Sequence, residues 1–311
     1  MKDFFSFDPN LLFYGFAIVF FASYGQTFFI SLYNLEIREF YKLSDGQFGL
    51  VYALGTLFSS FILIGFAKLI DHIDLRYYSL IISLGLATSC LLMYLSIKSI
   101  TVLFFIILGL RFFGQGAMSH AGETTMARYF GQNRGKALSV STFGGMIGVM
   151  ILPIIVVRLT NLFGWQNVWL YSSLSILFFL IPSIFFVLRD QSARQSNFFS
   201  SSNNIKNKKL KRKDIVFDKK FYIFLPITIA IPFISTGLTF HQIFIFTQKD
   251  WTLDMLANGF IFLGLFSIIG LVFGGPIVDK YKAIKIVKYT LVPLFLAILV
   301  LIFFDNYFFM L

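Results

Sequence analysis

Long apolar runs separated by short polar connections are the main pattern along this sequence. Nine such runs, each about 18 to 27 residues long, lie at about 11–33, 48–69, 77–97, 101–126, 137–157, 168–188, 221–247, 257–278 and 286–304. An apolar α-helix of about 20 residues crosses the roughly 30 Å hydrocarbon core of a bilayer. The pattern therefore predicts an all-α, multi-pass membrane protein with about nine membrane helices and the start of a tenth near Tyr307.

The composition agrees with a membrane location and excludes other classes of protein. Hydrophobic residues make up 57% of the 311 residues and charged residues only 13%, whereas average soluble domains have about 25% charged residues. The one cysteine, Cys90, lies in an apolar run, which excludes a disulfide framework and a thiolate metal site. The sequence has no catalytic triad and no phosphate-binding glycine-rich loop, so we expect neither an enzyme nor a bound cofactor or metal.

The distribution of Lys and Arg predicts the orientation of the chain in the membrane. With a cytoplasmic N-terminus, 20 of the 26 basic residues fall on inner segments and 5 on outer segments. This asymmetry is expected for a protein of the inner (plasma) membrane of a bacterium. The formal net charge of +11 is spread over all the inner segments, which argues against a surface that binds nucleic acid.

The polar segment 189–220 is the one clear break in composition. It is rich in Ser, Asn and Lys, with six basic residues between positions 206 and 213, and it cannot bury enough apolar surface to fold alone. We therefore expect a six-helix N-terminal lobe at 1–188, a basic cytoplasmic linker at 189–220 and a partial C-terminal lobe at 221–311. The alternative to a simple linker is a patch that binds lipid headgroups or a partner.

Arg111 is the most unusual residue of the apolar runs. It lies about 15 Å of helix rise from the start of the fourth run, at a depth where an exposed guanidinium costs several kcal/mol. We therefore expect Arg111 to face the interior of the N-terminal lobe, within hydrogen-bonding reach of polar groups from the first or second helix. Gln115 follows one turn later on the same face, so the pair is a candidate site for an anionic or hydrogen-bonding group. The alternative is that Arg111 has only a structural role, in the packing of the N-terminal lobe.

An internal repeat crosses the predicted linker. Residues 21–28 recur at 233–240, with five of eight positions identical. An even number of predicted helices separates the two copies, so both copies run in the same direction through the membrane. Parallel repeats about an axis along the membrane normal are typical of two-lobed transporters.

The loop after the second predicted helix resembles a signature of the major facilitator superfamily. The positions that match are Leu69, Asp71 and Arg76. The positions that depart from it are Ala67, His72 and Asp74. The residues kept in a second copy, after the eighth predicted helix, are Gly275, Asp279 and Lys280. The resemblance implies that the charged residues of both copies help to close a cytoplasmic gate, and the alternative is that they are solvated loop charges.

Glu123 and Arg134 are further gating candidates near the inner interface. Glu123 follows Arg111 by about 18 Å of helix rise. A gate salt bridge of Glu123 with Arg128 or Arg134 and a simple interfacial carboxylate are equally good interpretations of this position.

The segment Arg111-x-x-Gly114-x-Gly116 resembles the family's helix-four signature, whose arginine is associated with proton coupling. The resemblance implies a two-lobed helical bundle that works by alternating access, with the first helix lining the substrate cavity. Tyr24 and Gln26 lie near the middle of that helix and are substrate-binding candidates. His241, in the seventh predicted helix, is a coupling candidate because histidine titrates near neutral pH. The alternative is a structural histidine, whose ring nitrogens either form hydrogen bonds within the protein or lie at the membrane interface.

These features together predict a secondary transporter of a small organic anion, such as a monocarboxylate, with protons as the coupling ion. The first alternative is proton-coupled drug efflux, which a large aromatic cavity without access to Arg111 would favour. An alternative of another class is a non-transporting membrane fragment or sensor. Because the chain has fewer predicted helices than is usual in the family, we expect it to be C-terminally incomplete, able to insert but not to perform coupled transport.

Overall fold

Helices account for all regular secondary structure in the part of the chain that the structure, a computed structural model, describes. That part comprises residues 8–192, 194, 217–281, 286–287 and 289–307, without the side chains of 132, 220 and 274–280. Contacts divide the chain into two compact units, Met1–Phe198 and Phe199–Leu311. The division falls inside the predicted linker.

Between residues 8 and 192, unit 1 has six helices that are long and apolar enough to cross a membrane and one short helix. They are α1 (Pro9–Ser31), α2 (Asn34–Tyr41), α3 (Asp45–Asp71), α4 (Leu75–Leu95), α5 (Ile100–Tyr129), α6 (Arg134–Phe163) and α7 (Trp165–Val187). The short helix is α2. The prediction of six membrane helices before the linker is therefore confirmed for this part of the chain.

The described residues of unit 2 form two helices of membrane-spanning length and two shorter ones. Its elements are α8 (Lys219–Phe240), α9 (Gln242–Gln248), α10 (Leu253–Tyr281) and α11 (Leu291–Phe303). The ninth predicted membrane helix corresponds to α11, whose 13 residues span only about 20 Å. The described residues thus confirm an all-α membrane protein with eight full-length candidate spans.

Two irregular helices of unit 1 determine where the candidate site lies. In α1, the 3₁₀ turn Ala22–Gly25 is followed by Gln26 in an extended conformation with ψ of 155°, and the helix resumes at Thr27. In α5, the segment Leu110–Met118 is a π-helix. Such wide turns occur frequently at functional sites, and both irregular segments face each other across the α1–α5 contact.

Glycines allow α1 to approach its neighbours closely. A Cβ built on Gly25 would overlap the Leu110 carbonyl oxygen and lie 2.8 Å from the Gly114 Cα atom. On another side of α1, Cβ atoms built on Gly144 and Gly148 of α6 would overlap the Phe16 carbonyl oxygen and the Ser23 side chain. Small residues at helix contacts are how membrane helices gain van der Waals packing, since lipid is as apolar as their side chains.

A cavity of 440 Å³ lies within unit 2, between α8, α10 and α11. Its polar lining comes from Ser235, Thr239 and Gln242, and aromatic side chains form much of the rest. The aromatic residues are Phe246, Trp251, Phe260, Phe266 and Phe304.

Candidate functional site

Arg111 is buried inside unit 1, with 4% of its surface exposed. Its Nε donates a hydrogen bond to Thr56 Oγ1 at 3.1 Å. Its Nη1 donates to the Gly25 carbonyl oxygen at 3.1 Å and to Thr27 Oγ1 at 3.2 Å. These acceptors belong to α1 and α3, so the prediction that Arg111 faces polar groups of the first or second membrane helix is confirmed.

The break in α1 explains why an acceptor is present for Arg111. Because Gln26 leaves the helical path, carbonyl groups of the preceding turn no longer accept the hydrogen bonds that backbone N–H groups one turn later would donate in a continuous helix. Arg111 satisfies one of these carbonyls, that of Gly25. The guanidinium thus caps the first half of α1, and the close Gly25–Gly114 crossing brings the two helices within reach.

The positive charge of Arg111 has only neutral neighbours among the described residues. The Tyr52 ring lies 5.1 Å from the guanidinium carbon, and the Tyr52 hydroxyl donates to Thr27 Oγ1 at 2.8 Å. No carboxylate of the described residues forms an ion pair with Arg111. The three hydrogen bonds described above come from Nε and Nη1.

Gln115 follows Arg111 by four residues in α5, and Gln26 follows Gly25 in α1. Gln115 Oε1 is buried and has no hydrogen-bond donor among the described residues. Gln26 lies at the break of α1 and is half-buried. A buried amide oxygen that accepts no hydrogen bond destabilises the fold by its desolvation free energy. A ligand or water that donates a hydrogen bond to Gln115 would offset this destabilisation.

Tyr24 is not part of the Arg111 cluster. It is 7% exposed, its hydroxyl shares a hydrogen bond of 2.9 Å with Ser175 Oγ, and its ring packs against Phe29 at 5.0 Å. The structure therefore places Tyr24 between α1 and α7. Tyr52 and Thr56, in contrast, contact Arg111 without having been singled out by the sequence, because a Tyr or Thr in an apolar helix is not distinctive.

Asp71 of the predicted gating motif forms an ion pair with Arg128 at the end of α5. Arg128 also donates to the Ile70 carbonyl oxygen at 3.3 Å. Glu123 is exposed and forms no ion pair within the described residues, and Arg134 is exposed at the start of α6. The Glu123 salt bridge considered from the sequence is therefore not formed here, because Arg128 pairs with Asp71 instead.

Arg76 joins the α3–α4 loop to the residues that follow α7. It pairs with Asp74 at 3.0 Å, donates to Ser192 Oγ at 2.8 Å and lies 3.5 Å from the Arg189 carbonyl oxygen. Ser192 in turn donates to Asp74 at 3.1 Å. Asp74, one of the departures from the family signature, thus connects the loop to the start of the predicted linker.

Two further contacts fix the same segment after α7 on unit 1. Gln191 is fully buried and donates to the Tyr129 hydroxyl at 2.8 Å. Arg194 donates to both carboxylate oxygens of Asp8, at 2.7 and 3.0 Å. Unit 1 therefore extends past the predicted boundary at 188, because these polar side chains find partners on three other elements.

Replacing Asp74 with asparagine should reduce the pH dependence of unfolding at acid pH. Burial raises the pKa of Asp74, but hydrogen bonds from Arg76 and Ser192 outweigh burial and hold that pKa below its ordinary value. The stabilisation is therefore present above the unfolded-state pKa and is lost as the pH falls through the lowered folded-state pKa. Thermal unfolding of the protein in detergent across this pH range should show a loss of up to about 1 kcal/mol in the wild type.

Asp190→Asn is the matched control for Asp74→Asn, because the partner of Asp190 among the described residues is its exposed neighbour Arg189. We expect Asp190→Asn to unfold like the wild type at every pH. Identical acid profiles for Asp74→Asn and the wild type would show that the Asp74 network does not stabilise the fold.

The remaining predicted site residues belong to unit 2. His241 lies between α8 and α9, where its ψ of 11° interrupts the predicted seventh helix, and its ring packs against Phe240 at 5.1 Å. Its neighbour Gln242 lines the unit 2 cavity. The side chains of Asp279 and Lys280 lie outside the described residues, so their gating role stays a prediction.

Comparison with known proteins agrees with the motifs and the fold. The family model for the Major Facilitator Superfamily matches residues 15–311. A search of curated proteins finds no match to this chain. The family match covers nearly the whole sequence, including both units and the Arg111 site. The chain therefore belongs to the major facilitator superfamily, a family of secondary transporters of solutes.

Proposed function

We propose that this transporter carries a small organic anion, such as a monocarboxylate. The observation that supports the proposal is the buried Arg111 guanidinium, which is held by neutral acceptors and forms no ion pair with a carboxylate of the described residues. A buried cation favours an anionic partner because charge interactions are strong where water is scarce. A carboxylate accepts charge-assisted hydrogen bonds from a guanidinium in a geometry that few other groups match.

We propose that protons are the coupling ion, that transport proceeds by alternating access and that the N-terminus is cytoplasmic in a bacterial inner membrane. The resemblance of Arg111, Gly114 and Gly116 to the helix-four signature supports proton coupling. The excess of basic residues on the predicted inner segments supports the orientation. The Asp71–Arg128 pair, by resemblance, belongs to the cytoplasmic gate.

Drug efflux is the second candidate, and one observation favours it. The unit 2 cavity is lined mainly by aromatic and aliphatic side chains, and a lining of this type suits bulky apolar compounds. Its polar groups are uncharged Ser, Thr and Gln side chains, so it has no preference for anions. The two candidates therefore differ in the charge of the ligand that they require.

Thermal unfolding of the purified chain with three probes should distinguish these candidates. Lactate should raise the unfolding temperature, because a ligand at 100 times its Kd stabilises the folded state by about 2.7 kcal/mol. Lactamide, its uncharged counterpart, should have little effect, because it offers Arg111 no carboxylate. Stabilisation by tetraphenylphosphonium together with no response to lactate would contradict the proposal and favour drug efflux.

A further inference from the structure

Tyr52 lies on α3 beside the Arg111 guanidinium and interacts with it in two ways. The residue is buried, with 5% of its surface exposed. The guanidinium carbon of Arg111 lies over the Tyr52 ring, 5.1 Å from its centre, a distance at which an aromatic face attracts a cation. The Tyr52 hydroxyl donates to Thr27 Oγ1 at 2.8 Å, and the same oxygen accepts from Arg111 Nη1 at 3.2 Å. Tyr52 therefore acts on the guanidinium both directly and through Thr27.

The two hydrogen bonds that Thr27 Oγ1 accepts fix the direction of this hydroxyl group. A threonine hydroxyl has two acceptor positions and one proton. Tyr52 and Arg111 occupy both acceptor positions, so the hydroxyl proton points away from both donors. A threonine hydroxyl in a helix otherwise tends to donate to a carbonyl group three or four residues earlier. The Tyr52 hydrogen bond thus keeps the Thr27 oxygen turned toward Arg111 as an acceptor.

The hydrogen bonds of Arg111 join both sides of the break in α1 to α3. Nη1 donates to the Gly25 carbonyl oxygen before the break and to Thr27 Oγ1 after it. Nε donates to Thr56 Oγ1, and Thr56 follows Tyr52 by four residues on α3. A long side chain loses rotamer freedom when a ligand immobilises it, which weakens binding unless the side chain is already held in place. These contacts therefore determine how much ordering an anion would impose on Arg111.

We infer that Tyr52 is a positioning residue of the proposed anion site. Its ring and its hydrogen bond to Thr27 hold the Arg111 guanidinium in one orientation before an anion arrives. The carboxylate then binds a side chain that has already lost its rotational freedom, so binding is tighter than to a mobile arginine. The effect on affinity rests on the proposed function, whereas the orientation of Arg111 by Tyr52 is a property of the protein without ligand.

Solid-state ¹⁵N NMR of the full chain in lipid, labelled at arginine and without ligand, reports the orientation of Arg111. A guanidinium held in one orientation gives separate Nη1 and Nη2 signals, whereas rotation about the Nε–Cζ bond averages them. The signals that disappear in Arg111→Lys belong to Arg111. Tyr52→Phe should shift and broaden the Nη1 signal, and Tyr52→Leu, which also removes the ring, should average the pair. Wild-type signals in both Tyr52 variants would overturn the inference.

Tyr14→Phe is the matched control for Tyr52→Phe. Tyr14 is also buried in unit 1, and its hydroxyl shares a hydrogen bond of 2.8 Å with Ser79 Oγ. The control therefore loses a buried tyrosine hydrogen bond of the same length at a different place in the unit. We expect the Arg111 signals of Tyr14→Phe to match those of the wild type. An equal change in both variants would show that loosening of unit 1 is responsible, and would overturn the positioning role.

Calorimetry with lactate measures the effect on affinity. Tyr52→Phe and Thr27→Val should each raise the Kd roughly two- to tenfold, and Tyr14→Phe should leave it unchanged. The double variant of Tyr52 and Thr27 should bind no more weakly than the weaker single variant, because both remove the same hydrogen bond. A wild-type Kd in Tyr52→Phe, or additive effects in the double variant, would contradict positioning through Thr27.

The two measurements also separate this inference from the proposed function. If the Arg111 signals respond to Tyr52 as expected but the wild type does not bind lactate, the orientation of Arg111 by Tyr52 stands and the proposed anion transport fails. If lactate binds but neither the signals nor the Kd respond to the Tyr52 and Thr27 variants, the proposed function stands and the positioning role fails.

Discussion

Replacing Arg111 with alanine should weaken the binding of lactate by roughly 10- to 100-fold. A hydrogen bond to a charged group contributes about 1.5–3 kcal/mol, and each 1.4 kcal/mol corresponds to about tenfold in Kd. The variant removes the one buried guanidinium of this site, whose neighbours Gly25, Thr27 and Thr56 are uncharged. Isothermal titration of the purified variant with lactate would measure the change.

Arg111→Gln separates anion binding from the alternative that Arg111 only packs the lobe. Glutamine can still donate to the Gly25 carbonyl oxygen or to a threonine hydroxyl, but it has no charge. If Arg111 binds the substrate, Arg111→Gln should lose lactate binding while unfolding near the wild-type temperature. If Arg111 only packs unit 1, both variants should bind lactate normally, and Arg111→Ala should unfold at a lower temperature.

Replacing Gly25 with valine should destabilise unit 1 by about 1–3 kcal/mol or more. A Cβ at Gly25 would overlap the Leu110 carbonyl oxygen, which is backbone and cannot rotate away. The helices α1 and α5 would have to separate, and the Arg111 hydrogen bond to the Gly25 carbonyl would be strained. Thermal unfolding in detergent should therefore show a lower midpoint, and lactate binding should weaken in the same variant.

Gly65→Ala is the control for the Gly25 prediction. Gly65 lies within α3, and a Cβ built there meets no atom within 4 Å. The alanine should leave unfolding unchanged or slightly raise its midpoint, since it reduces the freedom of the unfolded chain. Equal midpoints for Gly25→Val and the wild type would show that the close α1–α5 crossing is not required.

The sequence predicted the environment of Arg111 because the cost of an exposed guanidinium in lipid leaves few alternatives. It did not predict which groups meet Arg111. The acceptor on α1 is a backbone carbonyl, freed by a break at Gln26, and neither Gly25 nor Gln26 distinguishes a broken helix from a continuous one. Breaks of this kind depend on packing against another helix, here the π-helical segment of α5.

At the ends of the helices, too, the sequence did not predict which residues contact each other. Asp71 was recognised as a charged residue at the end of a membrane helix, but its partner Arg128 is distant in sequence and only the fold brings them together. The start of the polar segment after α7 was interpreted as linker because of its composition. In the fold, Gln191 is buried against Tyr129 and Ser192 contacts Asp74, because polar side chains with partners pack as well as apolar ones.

The most direct test of the central claim is whether the carboxylate of a bound monocarboxylate contacts the Arg111 guanidinium. Solid-state NMR can measure dipolar coupling between ¹³C-carboxyl lactate and ¹⁵N-labelled arginine side chains in the reconstituted chain. We predict a coupling in the wild type that disappears in Arg111→Lys, which keeps the charge but has no guanidinium. Lactate bound with no coupling to any arginine, or with the same coupling in Arg111→Lys, would contradict the assignment of Arg111 as the anion-binding residue.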